Sequence, residues 1–379
     1  MMSKTYPDIN DARGLPNRYY IDEPSLLEEK QALFFNQWVA LAFMEDVPQK
    51  GSAMPIDFLG VPLLLLRDHD DEIQVFQNVC RHRGMMLVSE PCKLDKLLRC
   101  PYHSWSYDLK GNLIRTPHFG GANIHDDKGF DRKDFPLISV KSHCFMGMVF
   151  INLAGNAPDF AMATQELQTR WQEFMDKPLY SGGASTQFSM ELKADWKLAV
   201  ENYCESYHLP FIHPELNRYS KIEDHYTILA ENGSFSGQGT YVYNPTLQDG
   251  ERKFTDFTHL SSKWDSGAEY IALYPNVLLG VHRDHFFAII LTPKGRDRVE
   301  ERFQLFYAEQ ATLAPEWEGL KAMHKAQWRS VFLEDIQVVE GMQRGRHAPD
   351  FDGGKLSPTL DGGTYLFHKW VAEQMGIAA

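Results

Sequence analysis

The sequence predicts an α+β protein in two parts. One is a small antiparallel β domain over residues 38–155. The other is a larger domain, built from 1–37 and 156–379, in which helices flank a central antiparallel sheet. Three observations carry this. From Trp38 to about Leu153, short apolar runs (WVALAF, VPLLLLR, EIQVFQNV, KLLRCP, GMVFINL) are broken by Gly, Pro and Asp, the pattern of strands joined by tight turns. From about Gly182 a second set of strand-like runs begins and gives way to long helical stretches, which reads as one sheet with helices packed on it. At 379 residues, two cores are expected rather than one.

Taken in order, PSLLEEKQALFFNQ (24–37) has helical spacing, and AGNAPD (154–159) reads as a linker before a helix over 159–176. STQFSMELKA is a strand. Asp195 is placed to cap a helix through DWKLAVENYCESYH. YIALYP, NVLLGVHR, HFFAIILTP and ERFQLFYAE are strands, followed by helices over 315–344 and 364–375. No internal repeat or low-complexity tract interrupts this order.

A composition of 43% hydrophobic and 23% charged residues is ordinary for a soluble globular enzyme. A net charge of −13 argues against nucleic acid or an anionic membrane as partner. No run of about 18 uncharged apolar residues offers a membrane span, and MMSKTYPDIN lacks the apolar stretch of a signal peptide. Five cysteines do not make an even disulfide framework, so Cys92, Cys144 and Cys204 are expected to be free thiols in a reducing cytoplasm. No G-x-G-x-x-G follows a strand, so neither NAD nor flavin is expected in this chain.

The chemistry is concentrated in two motifs. The first is Cys80-x-His82, then seventeen residues, then Cys100-x-x-His103, in the strings CRHRG and CPYHSW. Two thiolates and two imidazoles on two short loops fit a Rieske [2Fe–2S] cluster, with both sulfurs on one iron and both histidines on the other. Neutral imidazoles in place of two thiolates raise the cluster potential above that of an all-cysteine ferredoxin, so the site is a one-electron carrier. Zinc is the competing ion, but structural zinc pairs come as Cys-x2-4-Cys and His-x3-5-His rather than as mixed pairs. Gly84 and Pro101 suit tight loops, and Trp105 can shield the site from water.

The second motif is NYCESYHLPFIHP, which carries Glu205, His208 and His213. Glu205 and His208, three apart, would share a helix face. His208 and His213, five apart, would be splayed on a regular helix. Pro210 removes a backbone donor and clashes with the carbonyl of Ser206, so the helix must kink or stop there and can turn both imidazoles to one point. Two histidines and one carboxylate make the facial triad that leaves positions open on Fe(II). The run FLEDIQVVEGMQ offers Glu334 and Asp335, which spacing alone does not separate. Tyr203, Tyr270, Tyr274, Phe286 and Phe287 are candidate walls for a substrate pocket. Individually each reads more readily as core packing, and together they would suit a cationic trimethylammonium group or a flat aromatic ring.

On these two motifs the chain resembles the catalytic α subunit of a Rieske non-haem iron oxygenase, from Trp38 to about Arg344. Met85 and Tyr102 stand where respiratory Rieske proteins have a disulfide, so the resemblance is to the low-potential oxygenase branch. Ser104 departs from the family's glycine. The resemblance selects Asp335 as the iron carboxylate beside His208 and His213. It implies that Glu205 links the iron site to a cluster histidine of a neighbouring subunit, and hence a homotrimeric ring. Glutamate rather than aspartate at position 205 resembles the branch acting on carnitine, choline and betaines. The implied reaction uses O2 and electrons from a separate NAD(P)H-dependent reductase, with or without an intervening ferredoxin, to hydroxylate or demethylate a small quaternary ammonium or N-methylated substrate. Ring hydroxylation or O-demethylation of an aromatic acid is the alternative. A bare electron carrier would need only a domain of roughly 100 residues.

Overall fold

The computed structural model describes residues 6–243, 245 and 252–377. The chain divides into two compact units, 40–156 and 1–39 with 157–379.

The smaller unit consists of antiparallel sheets. Strands β1 (Val39–Phe43), β2 (Ser52–Phe58), β3 (Val61–Arg67), β4 (Ile73–Gln77), β5 (Cys92–Lys93), β6 (Leu98–Arg99), β7 (Ser106–Tyr107), β8 (Leu113–Arg115), β9 (Lys141–Phe145) and β10 (Met148–Asn152) form three sheets, ordered β1-β10-β9, β4-β3-β2-β5 and β6-β7-β8. The run VPLLLLR is buried across Leu63–Leu66, as a strand covered on both faces requires. Leu64, Leu66, Phe76, Trp105 and Tyr107 share one apolar cluster with Cys80 and Cys100, so the core of this unit reaches the cysteines themselves.

In the larger unit a helical turn at Arg18–Ile21 leads into helix α1 (Glu23–Glu29), which continues as a π-helical stretch Lys30–Phe35. A buried charge cluster holds it in place. Arg296 donates to the Tyr19 carbonyl at 2.8 Å, to Glu29 at 3.0 Å and to Asp195 at 2.7 Å, while Lys197 Nζ lies 2.9 Å from Glu29 and 2.7 Å from Asp195. Removing any one partner would leave a buried charge unpaired, typically at about 3–5 kcal/mol. The stretch expected as one helix over 159–176 is instead three short pieces, Phe160–Ala163, Gln165–Arg170 and Gln172–Met175. It is fixed by side chains: Arg170 and Trp171 both donate to the fully buried carboxylate of Glu269.

The central sheet contains β11 (Tyr180–Ser181), β12 (Gln187–Leu192), β13 (His225–Leu229), β14 (Phe235–Thr240), β15 (Ala268–Leu273), β16 (Val277–Val281), β17 (His285–Pro293) and β18 (Val299–Tyr307). Its order is β11-β18-β17-β16-β15-β14-β13, with β12 also on β18, and every pairing is antiparallel. Strands β13 and β14 are additions to the sequence reading. β14 (FSGQGT) has two glycines and little apolar signal, yet it is buried throughout because it lies inside the sheet.

The unit also contains helices α2 (Trp196–Tyr203), α3 (Leu209–Ile212), α4 (Glu318–Gly345) and α5 (Gly362–Met375), with a short helical turn at Leu216–Tyr219. Asp195 caps α2, its Oδ1 accepting from Lys197 N at 3.0 Å. Gly363 lets α5 approach closely: a Cβ there would lie 2.3 Å from the Cys204 carbonyl oxygen.

Candidate metal centres

The two cysteine–histidine loops have the same backbone wiring. Cys80 N donates to Met85 O and Cys100 N to Trp105 O, both at 2.8 Å. Gly84 N returns to Cys80 O and Ser104 N to Cys100 O, both at 3.1 Å. Each loop is thus a closed turn that fixes one buried thiol and one imidazole. The loops meet at their histidines, whose ring centroids are 4.7 Å apart. Trp105 stacks on His82 at 4.8 Å and 12°, covering one side. Tyr107 Oη lies 3.4 Å from Cys80 Sγ. His103 Nδ1 is buried without a hydrogen-bond partner among the described residues. Unpartnered buried nitrogen of this kind is rare unless something else binds it, and two free buried thiols beside it complete a set of S and N donors.

The second motif does not form the kinked helix expected through His208. Helix α2 ends at Tyr203, and Glu205 and His208 lie in the connection to α3, with Pro210 in its first turn, where a missing N–H costs nothing. Glu205 builds that connection. Its Oε2 accepts from the backbone N–H of Tyr207 and of His208, and its Oε1 lies 2.6 Å from His208 Nδ1. Gln238 Nε2 in turn donates to the Glu205 carbonyl at 3.0 Å.

This path brings His208 and His213 together with Asp335 of α4. One ligand-type atom from each lies within 4.8 Å of the other two. Asp335 Oδ1 is 3.0 Å from His213 Nε2 and 3.7 Å from His208 Nε2. Glu334, the other member of the acidic pair, lies elsewhere: its Oε2 is 2.7 Å from Nδ1 of His213. Spacing left these two acids equivalent; the structure puts only Asp335 at the point where the imidazoles converge. Burial pulls the His213 pKa down, but the hydrogen bonds and charges of Asp335 and Glu334 outweigh it, leaving His213 above its ordinary value. The site carries surplus negative charge in a partly buried setting, which is what a cation needs.

A cavity open to solvent lies against this group. Tyr203, Tyr270 and Phe287 line it; Tyr274 and Phe286 do not. Phe286 and Phe287 are consecutive on β17 and face opposite sides of the sheet, so Phe286 packs on Phe306 instead. Tyr274 lies beyond the end of β15, against Phe367 and Trp370, with its hydroxyl donating to Ser236. Two rings that sequence reasoning missed complete the wall, Trp328 and Phe332. The signal was present: Trp328, Phe332 and Asp335 are spaced i, i+4, i+7 and share one stripe of α4. The tyrosine hydroxyls are engaged outside the wall, Tyr203 with the Leu279 carbonyl at 2.8 Å and Tyr270 with His282 Nε2 at 3.1 Å, so ring surface is what the cavity receives.

The Rieske [2Fe–2S] domain matches residues 37–126, and the ring-hydroxylating alpha subunit (catalytic domain) matches residues 183–377. The chain belongs to the ring-hydroxylating α-subunit family. This α subunit is therefore an oxidoreductase with a Rieske [2Fe–2S] cluster and a mononuclear iron, and both donor sets described above fit those groups. The glycine betaine monooxygenase oxygenase subunit of Pseudomonas aeruginosa is 26% identical over 395 residues, covering 96% of this chain and 89% of the relative. The carnitine monooxygenase oxygenase subunit of Escherichia coli is 24% identical over 376 residues, covering 96% and 94%. A crystal structure of a quaternary ammonium Rieske monooxygenase in complex with L-carnitine has the same fold, with a TM-score of 0.77 at 21% identity over 98% of this chain and 100% of that one. Among the described residues no helix is long and apolar enough to cross a membrane.

Proposed function

We propose that this α subunit is the oxygenase component of a multicomponent monooxygenase that hydroxylates a small quaternary ammonium compound at a carbon next to nitrogen, leading to C–N cleavage. The observation that carries this is the convergence of Tyr203, Tyr270, Phe287, Trp328 and Phe332 beside Asp335. Aromatic ring faces attract a trimethylammonium group, which no hydrogen-bond donor or acceptor can hold. Among the described wall residues there is no lysine or arginine to pair with a buried aromatic carboxylate. The named relatives act on betaine and carnitine, and Glu205 points the same way.

In this reading residues 38–155 form the electron-transfer domain, with Cys80, His82, Cys100 and His103 holding the cluster, while His208, His213 and Asp335 hold the iron in the domain formed by 1–37 and 156–379. When bound, the cluster supplies single electrons and the iron supplies the oxygen chemistry. The chain's own contribution is geometric. The aromatic wall orients the cationic head so that one methyl or methylene group faces the open side of the triad. Its apolar surface displaces water from that side. Glu205 keeps a proton on His208 Nδ1 and so leaves Nε2 free as a donor. Glu205 also links the site to the cluster of a neighbouring subunit in a ring-shaped homotrimer, supplied in the cytoplasm by a separate NAD(P)H-dependent reductase.

The test is a substrate panel with the purified α subunit, a surrogate reductase and O2. Formaldehyde, trimethylamine or an aldehyde product from carnitine, choline, betaines or N-methylated analogues supports the reading. Oxidation of benzoates or methoxybenzoates with no turnover of the ammonium compounds would replace it with the aromatic alternative.

A further inference from the structure

We propose that Glu334 is a positioning residue of the iron site: it holds the His213 imidazole with its proton on Nδ1 and its Nε2 lone pair turned toward the metal. The inference rests on His208, His213 and Asp335 being the iron ligands.

Glu334 and Asp335 are consecutive on α4, so their side chains leave the helix about 100° apart. The His213 ring lies between them. Asp335 Oδ1 is 3.0 Å from Nε2 and Glu334 Oε2 is 2.7 Å from Nδ1. The two nitrogens of an imidazole point in diverging directions, so whatever sits at Nδ1 cannot share a metal with Nε2. A carboxylate can only accept a hydrogen bond, hence Nδ1 must carry the hydrogen in this pair. Nε2, the nitrogen that faces Asp335, is then the one available to a metal. His213 is 2% exposed at its side chain, so burial limits alternative ring positions.

The arrangement repeats that at the other histidine, where Glu205 Oε1 lies 2.6 Å from His208 Nδ1. The origins differ. Glu205 belongs to the same connection as the ring it holds. Glu334 reaches from α4, so its hydrogen bond also ties the helix bearing Asp335 to the segment bearing His213. A carboxylate at Nδ1 raises the basicity of Nε2 and fixes the ring plane, and removal of such a partner typically costs 10–100-fold in metal affinity. An acidic pair is needed at 334–335 because one acid serves each end of one imidazole.

The experiment uses the full chain with its cluster intact and the mononuclear site emptied by chelation. Cobalt(II) and ferrous ion are the probes, read as dissociation constants and as the visible cobalt band. Glu334→Ala is expected to weaken cobalt(II) and iron(II) binding roughly 10–100-fold. Glu334→Gln, whose amide oxygen still accepts from Nδ1–H, should lose less, and Glu334→Asp should recover part of the loss. Cluster absorbance and thermal unfolding serve as folding controls and should match the parent protein. Wild-type affinity and an unchanged cobalt band in Glu334→Ala would overturn the proposal. Asp335→Ala separates this from the underlying ligand assignment: it should abolish binding, and full affinity in that variant would sink the assignment itself.

Discussion

Gly84 and Ser104 occupy the same backbone position in the two cluster loops. Each is four residues after a cysteine, each donates its N–H to that cysteine's carbonyl at 3.1 Å, and each has a positive φ, +75° and +58°. Glycine reaches that region freely, whereas serine is strained there. The Ser104 loop nonetheless closes as the Gly84 loop does. Ser104→Gly should therefore stabilise the cluster unit by about 0.5–1 kcal/mol, the strain relieved less the extra chain entropy of glycine. Thermal bleaching of the cluster absorbance, followed in both proteins at one heating rate, checks this.

Tyr107 is fully buried, its hydroxyl is 3.4 Å from Cys80 Sγ, and it also accepts from the Arg81 N–H at 3.0 Å. Burial and the neighbouring Cys80 push its pKa well above the ordinary phenol range, so it stays a donor. A hydrogen bond to a ligand sulfur favours the reduced cluster. Tyr107→Phe should lower the midpoint potential without loss of iron, measurable by redox titration of the visible or EPR signal.

Glu301 lies on β18, 5% exposed, with its pKa pushed up to about 8 by burial first and by the charge of Asp335 second. It is neutral in the fold at pH 7 but ionised in the unfolded chain. Unfolding therefore releases a proton between the ordinary carboxylate pKa and about 8, and stability falls as pH rises through that window. The ceiling is about 1.4 kcal/mol per pH unit, and iron on Asp335 reduces it. Glu301→Gln should flatten the loss of stability between pH 6 and 8 and raise it at pH 8. Denaturant unfolding of the iron-loaded protein at several pH values provides the comparison.

Trp328 packs at a tilt against Phe287, ring centroids 4.5 Å and planes 54° apart, and its Nε1 donates toward His285 and His324 at 3.2 and 3.1 Å, away from the wall. Its ring is thus free to face a cation. Trp328→Leu should raise KM for a trimethylammonium substrate roughly tenfold while Trp328→Phe retains much of the affinity, the cation–π contribution being about 1–2 kcal/mol. Equal KM values in all three proteins would remove Trp328 from substrate binding.

Much of this was legible in the sequence because the motifs are local. The four cluster donors fall in two loops closed by their own backbone bonds, and the strand runs around them are apolar enough to read. The end of α2 at Tyr203 was not legible: Pro210 signalled a break, but it is the Glu205 side chain, bonding the N–H groups of Tyr207 and His208, that sets where the chain turns. β14 was hidden by its glycines. Tyr274 and Phe286 are aromatic and close in sequence to the wall, yet sheet alternation and the end of β15 send them elsewhere. Spacing could not tell Glu334 from Asp335, and only the family resemblance singled out Asp335, since the His213 ring between them comes from a segment more than a hundred residues away.

The most direct test of two iron centres in one chain is metal and sulfide analysis of anaerobically purified protein, with EPR of the reduced form. About three iron and two acid-labile sulfide per chain, with the rhombic signal of an imidazole-ligated [2Fe–2S] cluster, is the expected result. Zinc in place of iron, or protein without sulfide, would contradict it.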